Sequence, residues 1–175
     1  MRPYLFLIPI ALCFSLSAAS FKDNFSQAKW SGWGDARHHY DFSTGHNSKG
    51  SLFISAQPGQ EGTFHTKLTN LNGRRVKVTA WVRGERIQEG KWKTSFWHFH
   101  ASRSSERTVF RNLTGSFGWS RITYTADIKG GELLLWFRLK GAGRVWIDDL
   151  EVTPYQGKPI PFSIKKVALT GGRHH

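Results

Sequence analysis

A series of short segments in which apolar and polar residues alternate with a period of two does most to limit the folds open to this chain. Residues 76–83 (VKVTAWVR), 119–127 (WSRITYTAD), 132–139 (ELLLWFRL) and 144–152 (RVWIDDLEV) show it best; 21–25, 51–56, 63–68 and 94–101 (TSFWHFHA) are further strand candidates. Successive side chains of a strand point to opposite faces, so a period of two marks a half-buried strand. Turn residues separate the segments: Asn72-Gly73, Gly130-Gly131 and Gly141-Ala142-Gly143. Residues 35–50 (DARHHYDFSTGHNSKG) read as a long polar loop. No helical periodicity follows the first residues. The expectation is an all-β chain, a single antiparallel β-sandwich of the jelly-roll kind.

Strand phase sorts core from surface. Val76, Val78, Ala80 and Val82 share one phase, as do Leu133, Leu135, Phe137 and Leu139. Ile122, Tyr124, Val145 and Ile147 join this core set, with Trp97, Phe99 and Ala101. In four strands the opposite phase holds an aromatic ring beside a cation or imidazole. It gives Trp81 with Arg83, Phe96 with His98 and His100, Trp136 with Arg138, and Trp146 with Arg144.

The ends are different in kind. Arg2, the apolar run 4–16 (YLFLIPIALCFSL) and small residues 17–20 have the pattern of a signal peptide over 1–19, which implies a secreted or periplasmic protein. The apolar run is too short for a membrane span. The single cysteine, Cys13, lies in this leader, so the domain that follows holds itself together by its core, with no disulfide. That domain covers 20–153. The proline-containing stretch 154–175 reads as an extended or disordered tail.

Charge sets the class of partner. There are 25 Lys and Arg against 12 Asp and Glu, a formal net charge of +13, which favours anionic partners. No run of five basic residues occurs, so nucleic acid is not expected. Outside a cytoplasm acidic polysaccharide, a negatively charged cell surface and extracellular DNA are the competing anions, and the scattered basic residues weaken the case for DNA.

Several positions recur in a known family. Trp119, Ile122 and Tyr124 precede a glycine-flanked strand with Gly141, Gly143, Val145, Trp146, Ile147, Asp148, Asp149 and Leu150. Phe25, Trp33, the Gly50-Ser51-Leu52 strand entry and Val78, Ala80, Trp81 and Val82 match more loosely. In these residues the chain resembles the carbohydrate-binding modules of the cellulase and xylanase accessory type, which share the galactose-binding-domain-like jelly roll. The resemblance implies that fold and a non-catalytic, carbohydrate-binding role. It also implies a candidate structural calcium at Asp148 or Asp149, although Ser26 stands where the family usually places its first-strand acidic ligand.

Together these readings point to an exported binding protein, not an enzyme, with no cofactor beyond that calcium. Its expected ligand is an acidic polysaccharide, held on one sheet face by Trp81, Arg83, His98, His100, Trp136, Arg138, Arg144 and Trp146. Indole stacks on the apolar faces of sugar rings, and the guanidinium fork matches a carboxylate. Two other readings use the same residues: an adhesive sandwich that binds an envelope protein partner, and a small jelly-roll polysaccharide lyase, for which Arg103, Glu106 and Arg107 give a faint motif.

Overall fold

The computed structural model describes residues 20–27, 29–71, 73–99, 105–109, 113–128 and 130–169, the side chains of 89–99 and 105–109 excepted. Eleven strands follow one another: β1 (Phe21–Asp23), β2 (Ser31–Gly34), β3 (Arg37–Asp41), β4 (Ser51–Ala56), β5 (Glu61–Leu68), β6 (Arg75–Phe99), β7 (Ser105–Val109), β8 (Leu113–Asp127), β9 (Leu133–Lys140), β10 (Gly143–Pro154) and β11 (Ser163–Ile164). All pairings are antiparallel.

Hydrogen bonds link the strands into one continuous path that is folded into two layers. The first sheet runs β3-β4-β10-β6-β8-β11, with β1 on the end of β10. The second runs β2-β5-β9-β6-β7. The 25-residue β6 belongs to both. Its first half pairs with β10 and β8, and its second half, from Trp92 to His98, pairs with β9. Between the halves its register against β8 slips three times, at Val82/Gly84, Gly84/Ile87 and Ile87/Trp92. Bulges bend and twist a strand, and here they carry β6 from one layer to the other. Gly84 sits at the bend because a Cβ there would lie 2.6 Å from the Phe117 ring.

The core lies between the layers. Val76, Val78, Ala80, Val82, Ile122, Tyr124, Val145 and Ile147 face it from the first sheet, and Leu133, Leu135, Phe137 and Leu139 from the second. Each is at most 1% exposed, as the period-two phase requires. Trp30 closes one end against Phe25 and Phe137, both at 5.5 Å, and its Nε1 donates to Asp23 Oδ2 at 3.0 Å. No described helix is long and apolar enough to cross a membrane.

Two features depart from the sequence reading, and the tail expected to be extended or disordered has a described course. Residues 35–50 contain β3, paired along its length with β4. His38 and Tyr40 pack edge-on against Phe64 at 5.7 and 5.8 Å, while His39 packs on Phe53 at 4.9 Å. Histidine counts as polar in a hydropathy pattern, yet its ring packs as an aromatic, so the alternation was hidden. Segments 76–83 and 94–101, expected as two strands, are parts of β6, with residues 100 and 101 outside the described set. After Pro154, which still pairs with β6, residues 160–167 run along β8. Ile160 N donates to Thr125 Oγ1 at 2.8 Å, β11 pairs with β8, and Val167 N donates to Ser120 Oγ at 2.9 Å. This arm covers a strand edge that would otherwise present unpaired backbone groups. The leader expected over 1–19 lies outside the described residues.

Candidate functional site on two opposed faces

Buried residues of the two sheets face each other, so the alternate residues point away on opposite sides of the sandwich. The site expected on one face is therefore divided. Trp81, Arg83, Arg144 and Trp146 lie on the outer side of the first sheet, and Trp136 and Arg138 on the outer side of the second. The backbone register pairs His98 with Leu133, and His100 lies outside the described residues. Strand phase fixes which side of a strand is core. It carries no information on which sheet the strand joins.

On the first sheet, register sets four residues in a row across β3, β4, β10 and β6: His39, Phe53, Trp146 and Arg83. Phe53 lies 4.9 Å from Trp146, and the Arg83 guanidinium covers the Trp146 ring at 5.0 Å. Trp146 is only 8% exposed and donates from Nε1 to Asp41 Oδ2 at 3.1 Å. It is thus a covered ring and not the open platform expected of it. Arg83 and Arg144 share Glu85, at 2.6 and 3.6 Å. Burial disfavours the Asp41 charge, but hydrogen bonds from Ser43, Trp146 and Thr44 outweigh it and hold the carboxyl down at about 2.

Beside this row opens a groove of about 580 Å³, walled by Lys22, Asp23 and Asn24 on one side and Asn47 on the other. Thr79, Trp81, Arg121 and Asp149 to Glu151 also line it. His46, from the loop after β3, stacks on Trp81 with centroids 3.7 Å apart and planes 16° apart. Its Nδ1 lies 2.9 Å from Asp149 Oδ2, which also accepts from Asn47 Nδ2 at 2.8 Å. Asp149 holds φ at 47°, a left-handed conformation that costs a non-glycine residue on the order of 1 kcal/mol or more.

Does this corner suit calcium? The ion takes six to eight oxygens through their lone pairs. Asp148 is fully buried, and its two oxygens accept from His46 N and Asp149 N, both at 2.6 Å. Asp23 accepts from Phe25 N at 2.8 Å and from Trp30 Nε1 at 3.0 Å. Each of these donors takes one of a carboxylate's roughly four lone-pair sites and aims the carboxyls at backbone and indole N–H groups. Among the described residues no group of three His, Cys, Asp or Glu could hold a metal. Asp148 and Asp149 therefore do not fit the calcium that the family resemblance implied. They form a hydrogen-bonded clamp that ties the 42–50 loop to β10. Burial pushes the Asp148 carboxyl up to about 6, against the pull of those two N–H donors.

The outer side of the second sheet is arranged differently. Trp33, on edge strand β2, is 42% exposed and meets Trp136 edge to face at 6.1 Å. His65 pairs with Trp136 in register, its ring 5.6 Å away. Arg138 is ion-paired with Glu61, which also lies 4.0 Å from Lys140. Three buried polar atoms here have no hydrogen-bond partner among the described residues: Thr63 Oγ1, His65 Nδ1 and Arg138 Nε. Such atoms are costly in a native protein and call for an explanation. The sequence had a signal for this patch. In SGWG, Trp33 stands between glycines without apolar neighbours, where a core role is hard to supply.

No protein-family model matches the chain, and no curated protein matches it in sequence. Solved structures do. The xylan-binding domain CBM22-2 of Paenibacillus barcinonensis Xyn10C is similar with a TM-score of 0.55 at 18% identity, over 77% of this chain and 99% of that one. The CBM22-1–CBM22-2 tandem of the same protein gives 0.61 at 15% identity, over 83% and 52%. The chain is a β-sandwich similar in fold to these modules. The enzymatically active domain of tailspike protein 4 from bacteriophage CBA120 is also similar, with a TM-score of 0.55 at 10% identity, and there the match spans 71% of this chain but 19% of the tailspike. At these identities the likeness is one of fold, and the module fold fixes where the two outer faces lie without saying what occupies them.

Proposed function

We propose that this is an exported, non-catalytic polysaccharide-binding protein that docks a glycan chain on the outer side of its second sheet. The observation that carries this reading is the patch around Trp33 and Trp136, where exposed indole adjoins buried polar atoms that lack partners. Exposed aromatic patches mark binding surfaces. Sugar rings offer apolar faces to the indoles and hydroxyls to the half-buried His65 and Arg138 side chains. The structural neighbours support the reading, since one is a xylan-binding domain and another is a module in complex with β-1,4-galactotriose. The patch's carboxylate, Glu61, is held by Arg138, whereas glycoside hydrolysis ordinarily needs a pair of carboxyl groups.

The ligand we propose is an acidic glycan. Within the patch Arg138 and Lys140 outweigh Glu61 by one positive charge, and the field of the whole protein, with its formal net charge of +13, adds to the selection for acid. Such steering weakens as the Debye length falls from about 10 Å at 0.1 M salt to about 3 Å at 1 M. Affinity electrophoresis through gels containing acidic or neutral polysaccharide tests this. Retardation strongest in acidic gels at low salt, with no release of unsaturated or reducing sugar, is the expected result. Free migration in every gel, or turnover of the glycan, would overturn it.

A further inference from the structure

From the groove on the first sheet we infer a second carbohydrate site, on the opposite side of the sandwich from the Trp33 patch, that selects a uronate. The groove's volume of about 580 Å³ lies within the range of small-ligand sites, roughly 300–1,000 Å³. Its chemistry is set by register. Trp81 on β6 and Arg121 on β8 are directly paired, so ring and guanidinium are neighbours on one surface. His46 stacks on the indole and braces it, and the half-buried Trp81 side chain lines the groove.

The charges that line the groove are mostly spent. Of the three lining carboxylates, Glu151 pairs with Lys22 at 3.0 Å, Asp149 holds His46 and Asn47, and Asp23 accepts from Phe25 N and Trp30 Nε1. Arg121 is exposed and has no ion pair among the described residues. It is the lining cation left for a ligand. A guanidinium offers a planar fork of donors that matches a carboxylate in two parallel hydrogen bonds. A ring to stack on, a fork beside it, and the Asn24, Asn47 and Thr79 side chains for hydroxyls together describe a pyranose that carries a carboxylate. With a site on each outer face, one molecule can hold two glycan chains at once.

The test uses the protein without its leader and two soluble probes, polygalacturonate and neutral hydroxyethyl cellulose, with dextran sulfate as a third. Calorimetric titration of polygalacturonate should show affinity about tenfold weaker in Arg121→Ala, and Arg121→Lys should fail to restore it, since a point charge lacks the fork. Trp33→Ala should leave a polygalacturonate component that remains sensitive to Arg121→Ala. The parent protein should also carry labelled polygalacturonate onto beads of immobilised hydroxyethyl cellulose. Unchanged polygalacturonate affinity in a folded Arg121→Ala variant would overturn the site. So would full rescue by lysine with equal binding of dextran sulfate, which would show charge attraction alone. Loss of all binding in Trp33→Ala would leave a single site and overturn the second. If instead Trp33→Ala changes nothing while Arg121→Ala weakens binding, the groove stands and the patch proposed above falls.

Discussion

At the scale of single residues, the side chains that look alike in the sequence differ in what surrounds them. Trp33 and Trp146 are both indoles outside the core, yet one is 42% exposed and the other 8%. Phe53, Arg83 and Asp41 close over Trp146, so it contributes to folding and not to an open surface. Asp41 holds this arrangement through its charge. Its folded carboxyl titrates at about 2, below the ordinary 3.8, so it stabilises the native state above about pH 4, and that stability is lost as the pH falls towards 2. Melting curves of the parent and Asp41→Asn should differ at neutral pH and converge near pH 2; a constant gap would contradict the assignment. Single residues were also where the sequence was most legible. Val78, Ala80, Val82, Ile122, Tyr124, Leu133, Leu135, Phe137 and Ile147 were all readable as core, because alternation is a local property of a strand. Arg121 and His65 were not readable as site residues, since their partners come from other strands.

Elements show where local reading stops. The bend in β6 rests on Gly84, and a Cβ there would also lie 2.7 Å from Ile87 Cδ1, so the methyl meets side chains on two sides. Gly84→Ala should cost roughly 1–3 kcal/mol, the usual penalty of overpacking, and denaturant titration will show it as a lower midpoint. An unchanged midpoint would mean that the bulge absorbs the methyl. The same strand explains why the site was read as one face. A sequence shows that 76–83 and 94–101 alternate, but not that one continuous strand passes between sheets, with outward residues on opposite sides. The end of β10 gives a second test. Its Asp148 and Asp149 are engaged by N–H donors, so chelation with EDTA should leave the melting temperature unchanged. A fall on chelation, restored by calcium, would show that the carboxylates turn to a metal in solution.

Taken as a whole molecule, the sandwich holds its core between two sheets that present unlike surfaces. The first sheet offers a polar groove with an unspent guanidinium; the second offers open indole beside the Arg138–Glu61–Lys140 cluster. Composition foretold a basic aromatic protein, and period-two patterning foretold the sandwich. Neither could place aromatics and cations relative to one another across strands far apart in sequence. The central claim is that the protein binds polysaccharide through the Trp33 surface. Titration of the folded Trp33→Ala variant with the polysaccharide that most retards the parent tests it most directly. Trp33 lies on an exposed edge strand, so its truncation should leave the melting temperature nearly intact. The account predicts an affinity at least about tenfold weaker at 1 M salt, where stacking remains and charge steering is screened. Affinity equal to that of the parent at 1 M salt would contradict it.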